Sequence, residues 1–238
     1  MERRDDVALV RIERADRRNA LDLAHTRDLR AAVDDAATTS RAIVVTGEGS
    51  SFCAGADLGT VHDKAFRETL GALLRRLTEI PVPVIAAVNG PAIGAGTQLA
   101  IACDLRVANG SARFAVPTAR LGLALDPWSL ARLMTLAGGG LARTLLIGAD
   151  SVDAARAHAL GLVDRLGDLD DALGWAAELA GLAPLTMAYN KLATAAGPWL
   201  DVDDPAINEA MWRCYESEDA EEGRRARAER RAPSFRGR

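Results

Sequence analysis

The sequence predicts a mixed α/β fold that passes, near its end, into helices alone. Two observations carry this reading. Short apolar runs recur, each followed by a loop and then a segment of helical periodicity, and from about Pro184 onward only helical segments are left. Taken in order, "VALVRIE" alternates and reads as a strand, "AIVVTG" reads as a buried one, and "VIAAVNG" as a third. Between them, "LAHTRDLRAAVDDAA" and "AFRETLGALLRRLTEI" repeat their leucines and alanines at helical spacing, and Pro81 and Pro83 stop the second. Strands are expected at "DLRVAN", "ARFAV" and "GLVDRLG". Helices are expected at "SLARLMTLAG", "LARTLLIG", "SVDAARAHAL" and "LDDALGWAAELAG", and three more from Pro184 to about Arg231. The resulting division is 1–183 for the mixed core and 184–238 for the helical region.

With 238 residues and 49% hydrophobic content, the chain can bury a substantial core. No run of about 18 apolar residues is present to span a membrane, and "MERRDDVALV" is charged where a signal peptide is apolar, so a cytoplasmic protein is expected. A net charge of −4 argues against a nucleic-acid partner, which needs a broad basic surface. Cys53, Cys103 and Cys214 are odd in number and far apart, without a CxxC pair, so reduced thiols are expected and neither a disulfide framework nor a metal site.

The stretch most suited to chemistry is "GPAIGAGTQLAIACD", Gly90 to Asp104. Three glycines allow close backbone approach, and the helix they open offers N–H groups without intrahelical partners. The spacing is GxxxGxG with no GK[ST] after it, which sets aside a nucleotide-binding fingerprint. Gln98, on the first helical turn, is the side chain nearest those donors, and an amide cannot serve as acid or base.

"SFCAGADL" at Ser51 to Leu58, followed after a helix by "PVPVIAAVNGPAIGAGTQLAIACDLRVA", resembles the enoyl-CoA hydratase/isomerase, or crotonase, family. "RRNALD", "FAVPTARLGL", "ADSVDAARAHALGLVDRL" and "ERRAPSFRG" extend the resemblance through nearly the whole chain. It implies a crotonase-type ββα spiral with a C-terminal helical trimerisation region, assembled as a homotrimer or hexamer, and a CoA thioester as ligand without a separate cofactor. It further implies that the backbone N–H groups of Ala56 and Ala95 form an oxyanion hole for the thioester oxygen. A lost donor in such a site costs roughly 3 kcal/mol of transition-state stabilisation. Arg18, Ala54, Ala56, Asp57, Leu58, Gly94 and Arg230 are the positions the resemblance assigns to holding the CoA.

The sequence departs from the family where hydratases carry two glutamates: Gln98 and Thr118 stand there, and neither can deprotonate water. Asp126 falls where some isomerases of the family place a carboxylate. Asp followed by Pro127 is also a good helix N-cap, so catalysis and capping both stay open. The pattern most resembles a mycobacterial-type subgroup lacking the glutamates, which implies acyl-CoA binding in fatty-acid or lipid metabolism, with fatty-acid synthesis enzymes among the candidate partners, and no hydration. Two other readings stay open: an active hydratase or isomerase using Asp126, and an assembly protein with a vestigial pocket. Acids crowd the start of the last helix and arginines, Arg230 among them, its end. That order suits a helix dipole and a phosphate ligand alike.

Overall fold

The computed structural model describes residues 1–57, 59–195 and 201–238. The strand expected at "VALVRIE" is β2 (Val7–Ile12), preceded by a short exposed β1 (Glu2–Arg4) that pairs with it antiparallel. After α1 (Leu23–Thr39) come β3 (Ala42–Gly47), α2 (Lys64–Glu79) and β4 (Val84–Val88). The glycine stretch forms β5 (Pro91–Ile93) and α3 (Ala95–Ala102), followed by β6 (Leu105–Ala108) and β7 (Arg113–Ala115). The chain continues through α4 (Pro127–Leu146), β8 (Ser151–Asp153), α5 (Ala154–Ala159), β9 (Arg165–Leu166) and α6 (Leu169–Ala180). It ends in α7 (Pro184–Ala195), α8 (Pro205–Tyr215) and α9 (Glu218–Glu229).

A six-stranded sheet has the order β1-β2-β3-β4-β6-β9, parallel from β2 onward, and a three-stranded sheet has the order β5-β7-β8. Both faces of the large sheet are covered, which is why its central strands read as continuous apolar runs. Val10, Val45 and Ala86 meet Leu29, Leu73 and Leu99 of α1, α2 and α3. Their neighbours Leu9, Val44 and Ile85 meet Ala172, Ala176 and Ala180 of α6.

Three local readings change. The two helices expected at "SLARLMTLAG" and "LARTLLIG" are continuous in α4 but break direction at Gly138, whose φ of 70° interrupts the helical run. "SVDAARAHAL" opens as β8, because Ser151–Asp153 pairs with β7, and Asp153 then caps α5 by accepting from Arg156 N at 2.8 Å. "GLVDRLG" supplies only two strand residues, Arg165 and Leu166, where β6 ends.

Buried charges tie the helices to the sheet. Arg106, 1% exposed, donates to Leu162 O at 2.6 Å and Cys103 O at 3.1 Å and pairs with Asp164 at 2.9 Å. Arg132 of α4 reaches Ile101 O and, at 3.2 Å, Cys103 O. Two guanidiniums thus sit on the C-terminal carbonyls of α3, the end that attracts cations. Lys191 of α7 donates to Val82 O at 2.8 Å and pairs with Asp104 at 2.7 Å, joining the helical region to the same corner. The chain terminus folds back on α9, where Asp219 accepts from Arg236 N and Gly237 N and Glu222 accepts from Ser234 N.

Candidate functional site

Two backbone segments converge at the site because they pair with each other. Cys53 N donates to Pro91 O at 3.1 Å and Ile93 N to Cys53 O at 2.9 Å, so residues 53–56 run parallel to residues 92–95. On its other side the first segment meets Leu21: Leu21 N donates to Gly55 O at 2.8 Å and Asp57 N to Leu21 O at 2.7 Å. In an extended strand successive residues bond to opposite sides. The Ala56 N–H therefore points away from Leu21, towards the start of α3. Ala95 is the first residue of α3, where an N–H has no intrahelical acceptor. Among the described residues neither N–H has a protein acceptor.

Glycine is required for this approach. At Gly55, with φ of 111°, a Cβ would lie 2.9 Å from Ile93 O, and at Gly96 a Cβ would lie 2.0 Å from Cys53 O. Thr97, fully buried, fastens the same corner with its one hydroxyl proton shared between Ala92 O at 2.6 Å and Ala115 O at 2.9 Å.

A cavity of about 860 Å³ opens over the two N–H groups. Ala54, Ala56, Gly94, Ala95, Gln98, Thr118 and Asp126 all line it. One wall is α2, whose Lys64, Arg67, Glu68, Gly71, Leu74 and Arg75 follow the i, i+3, i+4 stripe of one helix face for roughly 16 Å. Leu70, Leu74, Leu121, Leu123 and Leu125 make the lining largely apolar.

Asp126 caps α4 and faces the cavity at once. Its Oδ1 accepts from Ser129 N at 3.0 Å, as an N-cap does. Its Oδ2 accepts from Gln98 Nε2 at 2.9 Å, and the same Nε2 donates to Ser129 Oγ at 2.8 Å. Asp126 is exposed. Cys53 lies beside the two N–H groups, and burial pushes its thiol up to about 12, so it is a neutral packing residue at physiological pH.

Of the other sequence-predicted positions, Asp57 pairs with Arg14 at 3.2 Å and accepts from Gly59 N at 3.1 Å, at the edge of the loop outside the cavity lining. Arg18 lends its carbonyl to Ala54 N at 3.0 Å. Arg230 ends α9 in the left-handed region with φ of 55°, exposed and away from the cavity lining of this chain. Leu58 lies outside the described residues.

Sequence reasoning missed Ser129, whose hydroxyl completes the Gln98 contact, and Asn19. The latter is fully buried with φ of 58°, and its Nδ2 donates to Glu48 O at 2.8 Å and Ser51 O at 2.7 Å, holding the loop that leads into residues 53–56. The asparagine of "RRNALD" was the available signal, since asparagine tolerates that backbone region.

A family model described as enoyl-CoA hydratase/isomerase matches residues 2–238. The chain belongs to the enoyl-CoA hydratase/isomerase family. Within that family it is 42% identical over 233 residues to a Mycobacterium tuberculosis protein named "Probable enoyl-CoA hydratase echA6", covering 97% of this chain and 96% of that one. It is 32% identical over 246 residues to the short-chain-enoyl-CoA hydratase of Clostridium acetobutylicum, covering 97% and 94%. Among solved structures, an enoyl-CoA hydratase/carnithine racemase from Magnetospirillum magneticum superposes with a TM-score of 0.90 at 28% identity, over 99% of this chain and 94% of that one. The crotonase fold expected from the sequence is therefore the fold of this chain, C-terminal helices included. Among the described residues no helix is long and apolar enough to cross a membrane.

Proposed function

We propose that this family member binds acyl-CoA thioesters in fatty-acid or lipid metabolism and polarises the thioester without hydrating it. The observation that carries the reading is a pair of unpartnered N–H groups, on Ala56 and Ala95, opening into an apolar-walled cavity whose two hydratase-glutamate positions hold Gln98 and Thr118. The N–H pair stabilises negative charge as the thioester oxygen takes on enolate character, and such donors act best where water is excluded. Hydration needs in addition a base for water and an acid for the α-carbon, each contributing about 10²–10⁴-fold. Neither the amide of Gln98 nor the hydroxyl of Thr118 supplies one.

The CoA moiety runs past Ala54, Gly94, Arg18 and Asp57, with Arg230 from the C-terminal region of a neighbouring copy on its phosphates. Exposed Trp212 and Tyr215 on α8 and Leu192 on α7 support self-assembly through the helical region as a trimer or hexamer, and residues 1–183 supply the ligand site. Titration with acyl-CoAs tests the reading together with a crotonyl-CoA hydration assay. Binding with no hydration above background is the expected result. Turnover near the enzymatic median of about 10 s⁻¹ would refute it.

A second reading, an isomerase using Asp126 to move a proton between carbons of the acyl chain, is favoured by one observation: the Asp126 carboxylate lines the same cavity and is exposed. Asp126→Asn keeps the cap and removes the base. Loss of double-bond isomerisation with acyl-CoA affinity preserved within a few-fold would assign Asp126 that role.

A further inference from the structure

Five charged side chains line the cavity, and four of them are already partnered. Lys64 pairs with Glu68 at 3.5 Å, and Arg67 donates to His62 O at 2.9 Å and Val61 O at 3.3 Å. Asp126 accepts from Ser129 N and Gln98 Nε2. The fifth is Arg75, whose backbone carbonyl accepts from Thr78 Oγ1 at 2.7 Å but whose guanidinium has no acceptor among the described residues. That guanidinium is nevertheless placed. Side chains on a helix lean towards its N-terminus, over the residue four positions back. Here that residue is Gly71, and a Cβ built on it would lie 3.3 Å from Arg75 Nη1 and 3.8 Å from Nη2. The charged group thus rests against bare backbone on the cavity face of α2, in space that a side chain at position 71 would crowd, with Leu70 and Leu74 beside it in the lining.

The two ends of this wall differ. Thr60 N and Val61 N donate to Asp57 O at 2.9 and 3.1 Å, and Asp63 N to Thr60 O at 2.9 Å, so consecutive tight turns hold the start of α2 next to Ala56. Gly71, seven residues beyond Lys64, lies about 10 Å further along the axis. A chain of about eight carbons spans that distance at ordinary carbon–carbon geometry. We infer that Arg75 is a specificity residue that receives a carboxylate at the far end of the acyl chain, so that this site takes ω-carboxyacyl thioesters of medium length. The inference rests on the acyl-CoA reading above and specifies its substrate class. A guanidinium is weakly hydrated and offers a carboxylate two parallel N–H donors. Leu70, Leu74, Leu121, Leu123 and Leu125 suit the methylene chain, and the one unpaired cation among them rewards an anion that reaches it and penalises a neutral end that strips its water. Glu68, held by Lys64 one turn towards the N-terminus, does not compete for it. Arg75 acts in recognition alone, and no bond is made or broken there.

The test is calorimetric titration with two isosteric pairs: the CoA thioesters of suberic acid, an eight-carbon diacid, and of its ω-monoamide, and those of succinic acid and its ω-monoamide. The proteins are the wild type, Arg75→Gln, Arg75→Glu and, as a control, Arg27→Gln, whose arginine is exposed on α1 and outside the cavity lining. Circular dichroism and a thermal melt establish that each variant is folded. The wild type is expected to bind suberyl-CoA about five- to thirtyfold more tightly than the amide at low salt, the worth of a charge-assisted hydrogen bond discounted for exposure. The preference should shrink as salt is raised from about 50 to about 500 mM, and it should be absent from the succinyl pair, whose carboxylate stops short of Arg75. Arg75→Gln should lose the preference, Arg75→Glu should invert it, and Arg27→Gln should keep it. Equal wild-type affinity for suberyl-CoA and its amide, an equal preference in the succinyl pair, or a preference that survives both Arg75 variants would overturn the inference alone. So would equal weakening of all four thioesters by Arg75→Gln, which would put the guanidinium on the phosphates they share. Failure of all four to bind the wild type would instead defeat the acyl-CoA reading beneath it.

Discussion

Restoring the missing carboxylate at one hydratase position, Gln98→Glu, should make stability pH-dependent and still leave hydration absent. The replacement puts an oxygen where Nε2 now stands, 2.9 Å from Asp126 Oδ2 and 2.8 Å from Ser129 Oγ. The Ser129 hydroxyl can turn from acceptor to donor, so that contact survives. The Asp126 contact cannot, because two unit charges at 2.9 Å repel by about 1.4 kcal/mol at a dielectric of 80 and about 5.7 kcal/mol at 20. Asp126 is exposed, so screening and splaying keep the cost near the lower end, about 1.5–3 kcal/mol, or one to two pKa units. The introduced carboxyl is thereby raised in the folded chain, which binds more protons than the unfolded chain does. The cost is absent below the unfolded value near 4.3 and grows as pH rises through the folded value. Urea unfolding of wild type and variant from pH 4.5 to 8 reads this directly. The stability gap should widen by about 1.5–3 kcal/mol across that range, with crotonyl-CoA hydration still at background, since Thr118 supplies no partner acid. A gap that does not change with pH would show that the two carboxylates do not face each other, and the contact between position 98 and Asp126 would fall with it.

Gly96→Ala should destabilise the fold by 3 kcal/mol or more and abolish acyl-CoA binding, because its Cβ would sit 2.0 Å from Cys53 O, backbone that cannot give way; a thermal melt within two degrees of wild type would contradict this. Lys191→Met should cost about 3–5 kcal/mol in urea unfolding, since burial pushes the Asp104 carboxyl up and the Lys191 ammonium down and the 2.7 Å pair holds both charged. The double variant with Asp104→Leu should recover much of that loss. Hydrogen bonds from Arg231, Ser234 N and Arg225 hold the Glu222 carboxyl well below the usual carboxylate range. Its contribution is therefore complete above the unfolded value near 4.3 and lost as pH falls towards the depressed folded value. Cleavage of the tail after α9 by an acid-stable protease should rise on acidification, and Glu222→Gln should show the raised cleavage already at pH 7. Arg230→Ala should weaken acyl-CoA binding several-fold and the matching dephospho-CoA thioester much less, because a guanidinium grips the 3′-phosphate that only the first carries. Equal loss for both ligands would make Arg230 a helix-end residue only.

The central strands β3 and β4 were legible because both their faces are covered, so apolar residues run on where a one-sided strand would alternate, as in "AIVVTG". The convergence of the Ala56 and Ala95 backbone on one cavity depends on small residues at fixed places, and Gly55 and Gly96 carry that requirement in their identity. Less visible was β8, whose three residues have helical composition and become strand only because β7 lies alongside. Asn19 and Ser129 escaped for a related reason, as their hydrogen-bond partners are distant in sequence or wait on a helix cap to bring them near. The sequence by itself determined the family, the sheet and helix order, and the absence of glutamate at positions 98 and 118, all of them properties of residue type and spacing. Only the tertiary structure decided that Gln98, Asp126 and Ser129 form one hydrogen-bonded unit. A side chain's direction depends on which acceptors are packed against it, and residues 28 and 31 positions apart meet only when α3 and the start of α4 are brought together.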